Sequence, residues 1–523
     1  MKAKTLMVQG TASNVGKSVL TAALCRLFRN KGWRVAPFKA QNMSNNSYVC
    51  RDGGEIGRAQ AVQAEACGIE PSTLMNPILL KPSADSQCQV VIMGKARSGM
   101  GASEYYENRA EFEAIADSAL ERLIESHELV VIEGAGSPAE MNMKDRDITN
   151  MRIAKKFSSP VILVGDIDKG GVFAQLCGTF DLLDEKEKEL TRAFIINKFR
   201  GDKNILEPGL RWIEDKTDRK VLGVVPFMPD LQIGEEDAVV LEKGKAPSIL
   251  NQNKIVIAVV RLPRISNFTD FESLARESGV NLQYMEKPMR NVLPDLVIIP
   301  GTKSTIADLK FLRSSGFADY IRNCHRAGVP VIGICGGYQM LGRQILDPDH
   351  VESESGSADG LGMIPAVTTF VAVKKTVQVR ALHAESGAEV RGYEIHMGRT
   401  QFLAPVESAF NVFESQPESN GHKEGVYLCA PGGDRSPFIL GTYIHGLFDS
   451  DGFRRFLLKR VRAVRGIPDF DGTLSQSNDG QDDAYDRLAQ RVAESIDTQA
   501  LETILEGAAQ SLYTSSQSVP QLK

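Results

Sequence analysis

A glycine-rich loop lies between an apolar run and a helical stretch in the first twenty residues of the sequence. The run at residues 5–8 is followed by GTASNVGKS at residues 10–18 and then by the helical sequence VLTAALCRLFRNKG. This order is typical of a phosphate-binding loop, in which backbone N–H groups cradle phosphates, Lys17 reaches the terminal ones and the Ser18 hydroxyl reaches Mg²⁺. Five residues separate the two glycines, where the usual pattern has four. The sequence predicts a parallel α/β sheet with an ATP site formed by Gly10, Thr11, Asn14, Gly16, Lys17 and Ser18.

Carboxylates for the metal that accompanies ATP are expected at the ends of neighbouring strands. Residues 129–132 form an apolar run that ends in Glu133, before Gly-Ala-Gly, which places Glu133 at the same sheet edge as the loop. Ser18 and Glu133 are therefore the predicted metal residues. Weaker candidates, each more readily explained as a substrate-loop or structural residue, are Asp52, Glu55, Asp145 and Asp147. Asn197, after the run at residues 193–196, is predicted either to read adenine or to cap a helix.

The apolar runs divide the chain into two α/β halves. Runs at residues 5–8, 129–132, 161–164, 193–196 and 221–225 alternate with helical stretches in the first half, as in a parallel sheet with crossover helices. Runs at 255–260, 296–299, 331–334 and 439–443 begin a second unit, with an antiparallel elaboration between about 360 and 430. We expect a synthetase domain at residues 1–230, a linker at 231–254, a second domain at 255–460 and a helical, partly disordered tail at 461–523. Within the tail, 475–484 reads as a linker and 486–504 as one amphipathic helix.

Composition excludes several other classes of protein. At 523 residues, with 42% hydrophobic and 24% charged residues, the chain has the balance of a multidomain globular protein. Its formal net charge of -5 gives no electrostatic reason to expect nucleic acid, and no apolar run approaches a membrane span or a signal-peptide core. The eight cysteines show no CxxC pair, which fits a reducing compartment, so a cytoplasmic location is expected. The oligomeric state stays open.

A second constellation lies in the other half, around a cysteine. The strand-like run at 331–334 leads into Cys335-Gly336-Gly337 and a helix, so that small residues permit a tight turn exposing the sulfur at the top of a sheet. A helix N-terminus favours the thiolate and can stabilise an oxyanion. His445 follows another apolar run and is predicted to be the base at the same edge. Gly301, in a turn after residues 296–299, is expected to supply the second oxyanion N–H group.

This constellation resembles the class I, triad-type glutamine amidotransferases. The resemblance implies that Cys335 attacks the carboxamide of glutamine, releasing ammonia through a thioester, and that Gln339 helps to hold the glutamine, with Gly301 and Gly336 at the oxyanion. The usual Glu two residues after the His is replaced by Leu447, so weaker orientation of His445 and slow or dyad-dependent glutaminase activity are expected. His396 remains open between a structural and a family-specific role.

An ATP site and an ammonia source on one chain indicate amide formation. A carboxylate does not react with ammonia directly, but phosphoryl transfer gives an acyl phosphate from which ammonia displaces phosphate. The loop and the EGAG stretch at 133–136 resemble dethiobiotin-synthetase-like enzymes. The stretches PFKAQNMSNNS at 37–47, DGGEIGRAQ at 52–60, EGAGSPAE at 133–140 and GDIDKGG at 165–171 resemble the cobyric acid synthase family of the cobalamin pathway.

The family resemblance implies the substrates. Members amidate the b, d, e and g carboxylates of adenosylcobyrinic acid a,c-diamide to adenosylcobyric acid with ATP, Mg²⁺ and L-glutamine. It implies that Lys39, Gln41 and Asn42 lie near the phosphates or the corrinoid carboxylate, with Asp145 and Asp147 as further substrate candidates. Three alternatives stay open: a sister enzyme that makes the a,c-diamide, a MinD-like ATPase switch with an inactive glutaminase domain, and an enzyme that uses only free ammonia.

Overall fold

The structure is a computed structural model that describes ten stretches of the chain. These are residues 3–84, 87–97, 100–101, 107–228, 254–289, 293–353, 355–416, 421–431, 433–468 and 479–515. Residues 231–253 of the predicted linker lie outside them, and the proposed domain boundaries stay a prediction. Within the described residues, no helix has the length and apolar character required to cross a membrane.

A six-stranded parallel sheet forms the centre of the first half. Across the sheet the strands are Lys220–Pro226, Thr191–Phe199, Val161–Asp166, Lys4–Gly10, Leu129–Glu133 and Val35–Phe38. All five apolar runs predicted in this half are confirmed as strands, because strands covered by helices on both faces are apolar almost throughout. The sixth strand, Val35–Phe38, was not predicted because Pro37 interrupts its apolar residues; proline is tolerated there because the strand lies at the edge of the sheet.

Helices cover both faces of this sheet, and a small group of strands lies at its edge. The helices are Lys17–Asn30, Arg58–Cys67, Arg109–Ser126, Met151–Phe157, Val172–Asp181, Glu185–Leu190 and Lys203–Thr217, with short 3₁₀ turns at Thr73–Met75 and Lys144–Arg146. The small strands are Gln41–Met43, Ser47–Val49, Glu55–Gly57, Ile78–Ala84, Gln87–Ile92, Lys95–Ala96 and Met100–Gly101. Of these, Ser47–Val49 and Glu55–Gly57 form an antiparallel hairpin that contacts the second half.

The second half contains its own sheet and a separate antiparallel layer. The sheet runs Val280–Met285, Ile255–Val260, Leu296–Ile299, Val331–Ile334, Phe438–Thr442 and Val426–Cys429, of which only the last is antiparallel to its neighbour. The predicted antiparallel elaboration is confirmed by strands Ala366–His383, Glu389–Phe402, Phe410–Gln416 and His422–Glu424, joined by Gln344–Leu346, Ser357–Asp359 and Ile444–His445. The helices are Glu272–Ala275, Thr305–Ser314, Phe317–Arg326, Gly336–Leu341 and Asp451–Arg465, with 3₁₀ turns at Phe268–Phe271, Gly433–Arg435 and Leu447–Asp449.

The C-terminal segment folds back onto the first half. Two helices, Asp479–Ala493 and Thr498–Ser515, replace the single helix predicted at 486–504, and the first of them includes residues 479–484 of the predicted linker. The break between them lies where Ile496 pairs with Gly223 of the first sheet, so a tertiary contact interrupts a helical pattern. Tyr485, Leu488 and Val492 join the apolar core of the first half. The predicted disorder concerns residues mostly outside the described part.

Candidate active site

The phosphate loop leaves the first strand at Gly10 and closes into the helix Lys17–Asn30. Gly16 has φ 98° and Asn14 has φ 60°, both left-handed conformations, which turn the chain sharply before the helix. The helix begins after a glycine, which has no side chain to cap its first N–H groups. Lys17 is buried and donates to the carbonyl oxygens of Ala12 at 2.9 Å and Gly136 at 3.0 Å. The lysine therefore spans the space between the loop and the end of the neighbouring strand.

Glu133 is the centre of a buried polar cluster beside this loop. Its carboxylate accepts hydrogen bonds from Ser18 Oγ at 2.8 Å, Lys39 Nζ at 2.9 Å and Gln63 Nε2 at 2.6 Å. Burial raises the pKa of Glu133, but the Lys39 ammonium and the other donors outweigh it and hold the pKa below its usual value. The carboxylate is thus kept charged at the strand end where the sequence placed it.

The Glu133 cluster provides oxygen donors that suit a Mg²⁺ site. A carboxylate and a hydroxyl 2.8 Å apart are the hard donors that Mg²⁺ takes when nucleotide phosphates supply further ligands. Such a site needs few protein ligands, and within the described stretches no three His, Cys, Asp or Glu side chains are arranged so that they could hold a metal ion without a nucleotide. Asp52 does not join it: this residue is exposed and accepts a hydrogen bond from the Gly54 N–H of its own turn.

Asn197 supports the loop from the neighbouring strand. Its Nδ2 donates to the Val15 carbonyl oxygen at 2.8 Å, and a Cβ at Gly16 would lie 2.2 Å from the same nitrogen. Asn197 belongs to the strand Thr191–Phe199, so the predicted alternative of a helix cap is wrong. The Thr11 hydroxyl of the loop also donates a hydrogen bond to Gln175 Oε1 at 3.2 Å.

The remaining substrate candidates fall into two groups. Asn42 donates to Gln60 Oε1 at 2.9 Å, and Gln41 precedes it in the strand Gln41–Met43, close to the Glu133 cluster. By contrast, Asp147 accepts from the N–H groups of Thr149 and Asn150 at the start of a helix, and Asp145 is exposed in a 3₁₀ turn. The structure therefore brings Lys39 and Asn42 together with the phosphate loop but gives Asp147 a local capping role.

Cys335 stands at the predicted sharp turn between the strand Val331–Ile334 and the helix Gly336–Leu341. Its backbone has φ 50° and ψ −110°, a conformation that non-glycine residues rarely adopt. The turn needs small neighbours, because a Cβ at Gly337 would lie 2.0 Å from the Ile299 carbonyl oxygen and one at Gly333 would lie 2.8 Å from the Gly337 oxygen. Strain held by such packing is common at functional residues.

His445 is oriented by a carboxylate that the sequence pattern did not reveal. Asp270 Oδ2 lies 2.7 Å from His445 Nδ1, and Asp270 Oδ1 accepts from the Gly446 N–H at 3.0 Å. Burial lowers the pKa of His445, but the Asp270 carboxylate and Cys335 outweigh it and raise the pKa to about 10. The expectation of a weakly oriented imidazole is therefore wrong: Leu447 is a buried apolar residue, and the acid comes from elsewhere in the chain.

Cys335 and His445 line a cavity of about 440 Å³ that also contains Gln339. Gly301 borders it, since a Cβ there would lie 3.1 Å from His445 Cε1, and a Cβ at Gly336 would lie 3.2 Å from the Thr302 N atom. The loop after Leu296–Ile299 and the start of the cysteine helix thus face each other beside the sulfur. Gln339 accepts from Thr305 Oγ1 at 3.1 Å and donates to Tyr443 OH at 3.3 Å.

His396 lies in the wall of the same cavity. Its ring stacks on Tyr443 with centroids 3.7 Å apart, its Nδ1 lies 2.7 Å from the Gly398 carbonyl oxygen, and its Nε2 lies 3.2 Å from Glu394. It also borders a second cavity of about 490 Å³. These contacts fix the His396 ring in the wall that separates the two cavities.

The two halves meet through the hairpin of the first half. The Ser47 N–H donates to Asn267 Oδ1 at 3.0 Å, and the Phe268 N–H donates to Asn46 Oδ1 at 3.1 Å. These two hydrogen bonds hold the beginning of the 3₁₀ turn Phe268–Phe271, which carries Asp270. The synthetase half therefore helps to position the acid that orients His445.

Sequence reasoning missed the residues that act through long-range contacts. Asp270 lies in NFTDFES, a stretch without a recognisable motif, and Gln63 lies on a helix with no distinguishing pattern. Glu55, which the sequence offered only as a weak metal candidate, is buried between Lys81 and Lys374 at 2.5 Å from each. For Asp270 the only available signal is an acidic residue near the first strand of the second half.

Two family models match the chain in succession. Residues 6–239 match a CobQ/CobB/MinD/ParA nucleotide binding domain, and residues 256–453 match a CobB/CobQ-like glutamine amidotransferase domain. They agree with an α/β synthetase half followed by an α/β glutaminase half.

Full-length relatives show the same arrangement. A cobyric acid synthase of Dehalococcoides mccartyi (strain CBDB1) is 47% identical over 511 residues, covering 96% of this chain and 99% of the relative. The cobyric acid synthase of Sorangium cellulosum (strain So ce56) is 47% identical over 523 residues, covering 97% and 99%. That of Moorella thermoacetica (strain ATCC 39073 / JCM 9320) is 46% identical over 512 residues, covering 96% and 97%. With its nucleotide-binding loop and its Cys–His–Asp site, this chain belongs to the cobyric acid synthase family of glutamine-hydrolysing amidotransferase ligases.

Proposed function

We propose that the protein amidates the b, d, e and g carboxylates of adenosylcobyrinic acid a,c-diamide to give adenosylcobyric acid, using ATP and L-glutamine. The observation that carries the proposal is the pairing, on one chain, of the Lys17–Ser18–Glu133 cluster with the Cys335–His445–Asp270 arrangement. One group activates a carboxylate and the other releases ammonia. Membership of the family supports the choice of a corrinoid as substrate.

Ammonia release begins at Cys335. The Cys335 sulfur attacks the carboxamide carbon of glutamine, and Gly336 with the Gly301–Thr302 turn surrounds the oxygen on which negative charge develops. The His445 imidazolium donates a proton to the nitrogen of the carboxamide, so that the C–N bond breaks and ammonia leaves. Water then cleaves the thioester to give glutamate, with His445 as base. The Asp270 carboxylate keeps the imidazole in the required orientation and supports its charged form.

Carboxylate activation takes place at the phosphate loop. Backbone N–H groups of the loop and Lys17 bind the phosphates of ATP, and Ser18 and Glu133 would hold Mg²⁺, which supplies charge neutralisation when bound. The γ-phosphoryl group passes to a carboxylate oxygen of the corrinoid, ADP leaves, and ammonia then attacks the acyl carbon and displaces phosphate. Each amidation therefore consumes one ATP and one glutamine.

The corrinoid carboxylate would lie beside Lys39, with Gln41 and Asn42 near it. Lys39 touches Glu133 at 2.9 Å, so its ammonium is at the edge where the phosphoryl group would be transferred. A cation there attracts the carboxylate and offsets charge in the transition state.

One labelling experiment tests the whole proposal. The protein is incubated with adenosylcobyrinic acid a,c-diamide, MgATP and amide-¹⁵N-glutamine, and products are read by mass spectrometry. Label at four positions supports the proposal, and the Cys335→Ser variant should amidate only when ammonium is added. Cys429→Ser, at an exposed free cysteine, is the matched control and should behave as the wild type. ATP hydrolysis with an unchanged corrinoid would contradict the substrate, and undiminished glutamine use by Cys335→Ser would contradict the role of Cys335.

A further inference from the structure

The cavity of Cys335 contains more charge than amide hydrolysis needs. Lys81, Lys303, Lys374 and Glu352 all line it, although the reacting carboxamide is neutral. Charged side chains in a partly enclosed cavity are costly unless each meets an opposite charge. Their partners therefore indicate which of them are available for a ligand.

Two of the lysines are already held by one carboxylate. Glu55 is buried and lies 2.5 Å from Lys81 Nζ and 2.5 Å from Lys374 Nζ, and Lys81 also donates to Ser47 Oγ at 2.9 Å. Burial raises the pKa of Glu55, but the two ammonium groups outweigh it and hold the pKa far below its usual range. These three residues join the two halves of the molecule and form a closed ionic group.

Lys303 and Glu352 differ from that group. Across the described stretches of the chain, no hydrogen bond or ion pair holds the Lys303 ammonium, and no ion pair holds the Glu352 carboxylate. Burial lowers the pKa of Lys303 to about 7 and raises the pKa of Glu352 to about 7. The two opposite charges attract each other and Thr305 also donates to Glu352, but burial outweighs these contacts, so each charge stays poorly compensated by the protein alone.

The backbone that carries these two side chains is fixed. Asp347, fully buried, accepts from the N–H groups of Val351 at 2.7 Å, Glu352 at 2.9 Å and Ser353 at 2.8 Å. Glu352 Oε1 accepts from the Ile306 N–H at 2.9 Å. On the other side, the Lys303 N–H donates to the Arg264 carbonyl oxygen at 3.0 Å. A preorganised pair of opposite charges beside a nucleophile is suited to a zwitterion.

We propose that Glu352 binds the α-ammonium group and Lys303 the α-carboxylate of the glutamine whose carboxamide Cys335 attacks. The site then selects a free α-amino acid and discriminates against amides that lack either charge, such as deaminated or peptide-bound glutamine. This inference rests on the proposed hydrolysis of glutamine at Cys335. Losing one charged partner from a buried pair leaves the other uncompensated, which is why the discrimination is large.

The test crosses variants with substrate analogues. Glutamate or product release is measured for L-glutamine, for glutaramate, which lacks the α-ammonium, and for L-glutaminamide, which lacks the α-carboxylate. The wild type should prefer glutamine to each analogue by about 10- to 100-fold in kcat/KM. Glu352→Gln should reduce kcat/KM for glutamine by a similar factor but leave kcat/KM for glutaramate nearly unchanged. Lys303→Met should also reduce kcat/KM for glutamine, but it should leave kcat/KM for glutaminamide nearly unchanged.

Control variants distinguish a loss of glutamine binding from a general disruption of the folded site. Glu286→Gln and Lys287→Met make the same changes at exposed positions and should retain the wild-type preference. Amidation with added ammonium should stay unchanged in all four variants. If Glu352→Gln or Lys303→Met reduces glutamine and its analogue equally, the residue has a structural role and the inference is wrong. If the wild type hydrolyses none of the three amides, the proposed function itself fails.

Discussion

Replacing Asp270 by Asn tests the least expected part of the active site. The change keeps the shape of the side chain but removes the carboxylate that lies 2.7 Å from His445 Nδ1. The Gly446 N–H, which donates to Asp270 Oδ1 at 3.0 Å, would hold the carbonyl oxygen of the new amide. The NH₂ group would then face His445 Nδ1 and donate a hydrogen bond to it. A neutral imidazole that accepts at Nδ1 has its single proton on Nε2.

A neutral imidazole with its proton on Nε2 cannot take the proton of Cys335. The same exchange in a Ser–His–Asp triad costs about 10⁴-fold in kcat. Loss of a charge-assisted hydrogen bond alone costs about 1.5–3 kcal/mol, or roughly 10- to 150-fold. We therefore expect Asp270→Asn to lose about 10³- to 10⁴-fold in glutaminase kcat. Because the carboxylate that raises the pKa of His445 to about 10 would be gone, the imidazolium should also deprotonate at lower pH than in the wild type.

The assay is release of glutamate from glutamine across a pH series. Amidation with added ammonium serves as an internal reference and should remain within about twofold, since it bypasses Cys335. Asp449→Asn is the matched control: it makes the same exchange at a carboxylate that lies near enough to Asp270 to interact with it and that accepts a hydrogen bond from Ser273 Oγ. Asp270→Asn activity within about fivefold of the wild type would refute the assignment of Asp270 as the orienting acid.

Three further changes probe the interface and the core. Asn46→Ala should leave the buried Phe268 N–H without its acceptor and displace Asp270, lowering glutaminase kcat about tenfold while ammonium-dependent amidation persists; an unchanged kcat would contradict this. His383 is packed among aromatic rings, and burial lowers its pKa to about 4. The unfolded chain therefore takes up a proton at His383 at a higher pH than the folded protein does. As the pH falls from about 6.5 to 4, the free energy of unfolding measured by denaturant titration should decrease by about 3 kcal/mol, and His383→Phe should abolish this decrease. Leu447→Glu should not strengthen the triad but lower the melting temperature by burying an unpaired carboxylate; equal or higher activity at unchanged stability would be the contrary result.

Local patterns predicted the parts of the fold in which neighbours in sequence act together. The phosphate loop and the turn at Cys335 each lie within a strand, a turn and a helix, so glycine spacing and apolar runs are enough to locate them. Glu133 was also located, because the carboxyl ends of parallel strands share an edge.

Contacts between distant segments could not be read in this way. Asp270 reaches His445 across 175 positions, and the family pattern of a Glu after the His directed attention to Leu447 instead. Glu55 meets Lys374 across 319 positions, and its burial is visible only when both halves are assembled. The periodicity of the C-terminal segment indicates a helix, but nothing in its pattern indicates the pairing of Ile496 with Gly223 that divides the segment into two helices.

The return of the C-terminal helices to the first half has a consequence for how the protein is made. Leu488, Val492, Leu501 and Leu505 complete the same apolar core as Leu6 and its neighbours. At about 5–20 residues per second, a ribosome needs tens of seconds to reach them after the first strand has emerged. Until then part of one face of the nucleotide-binding sheet, and the side of the helix Lys17–Asn30 that contacts the C-terminal helices, stay uncovered and prone to aggregation. Nascent chains stalled before residue 479 should therefore engage chaperones more than released ones, and the synthetase half reaches its final stability only after the glutaminase half has been synthesised.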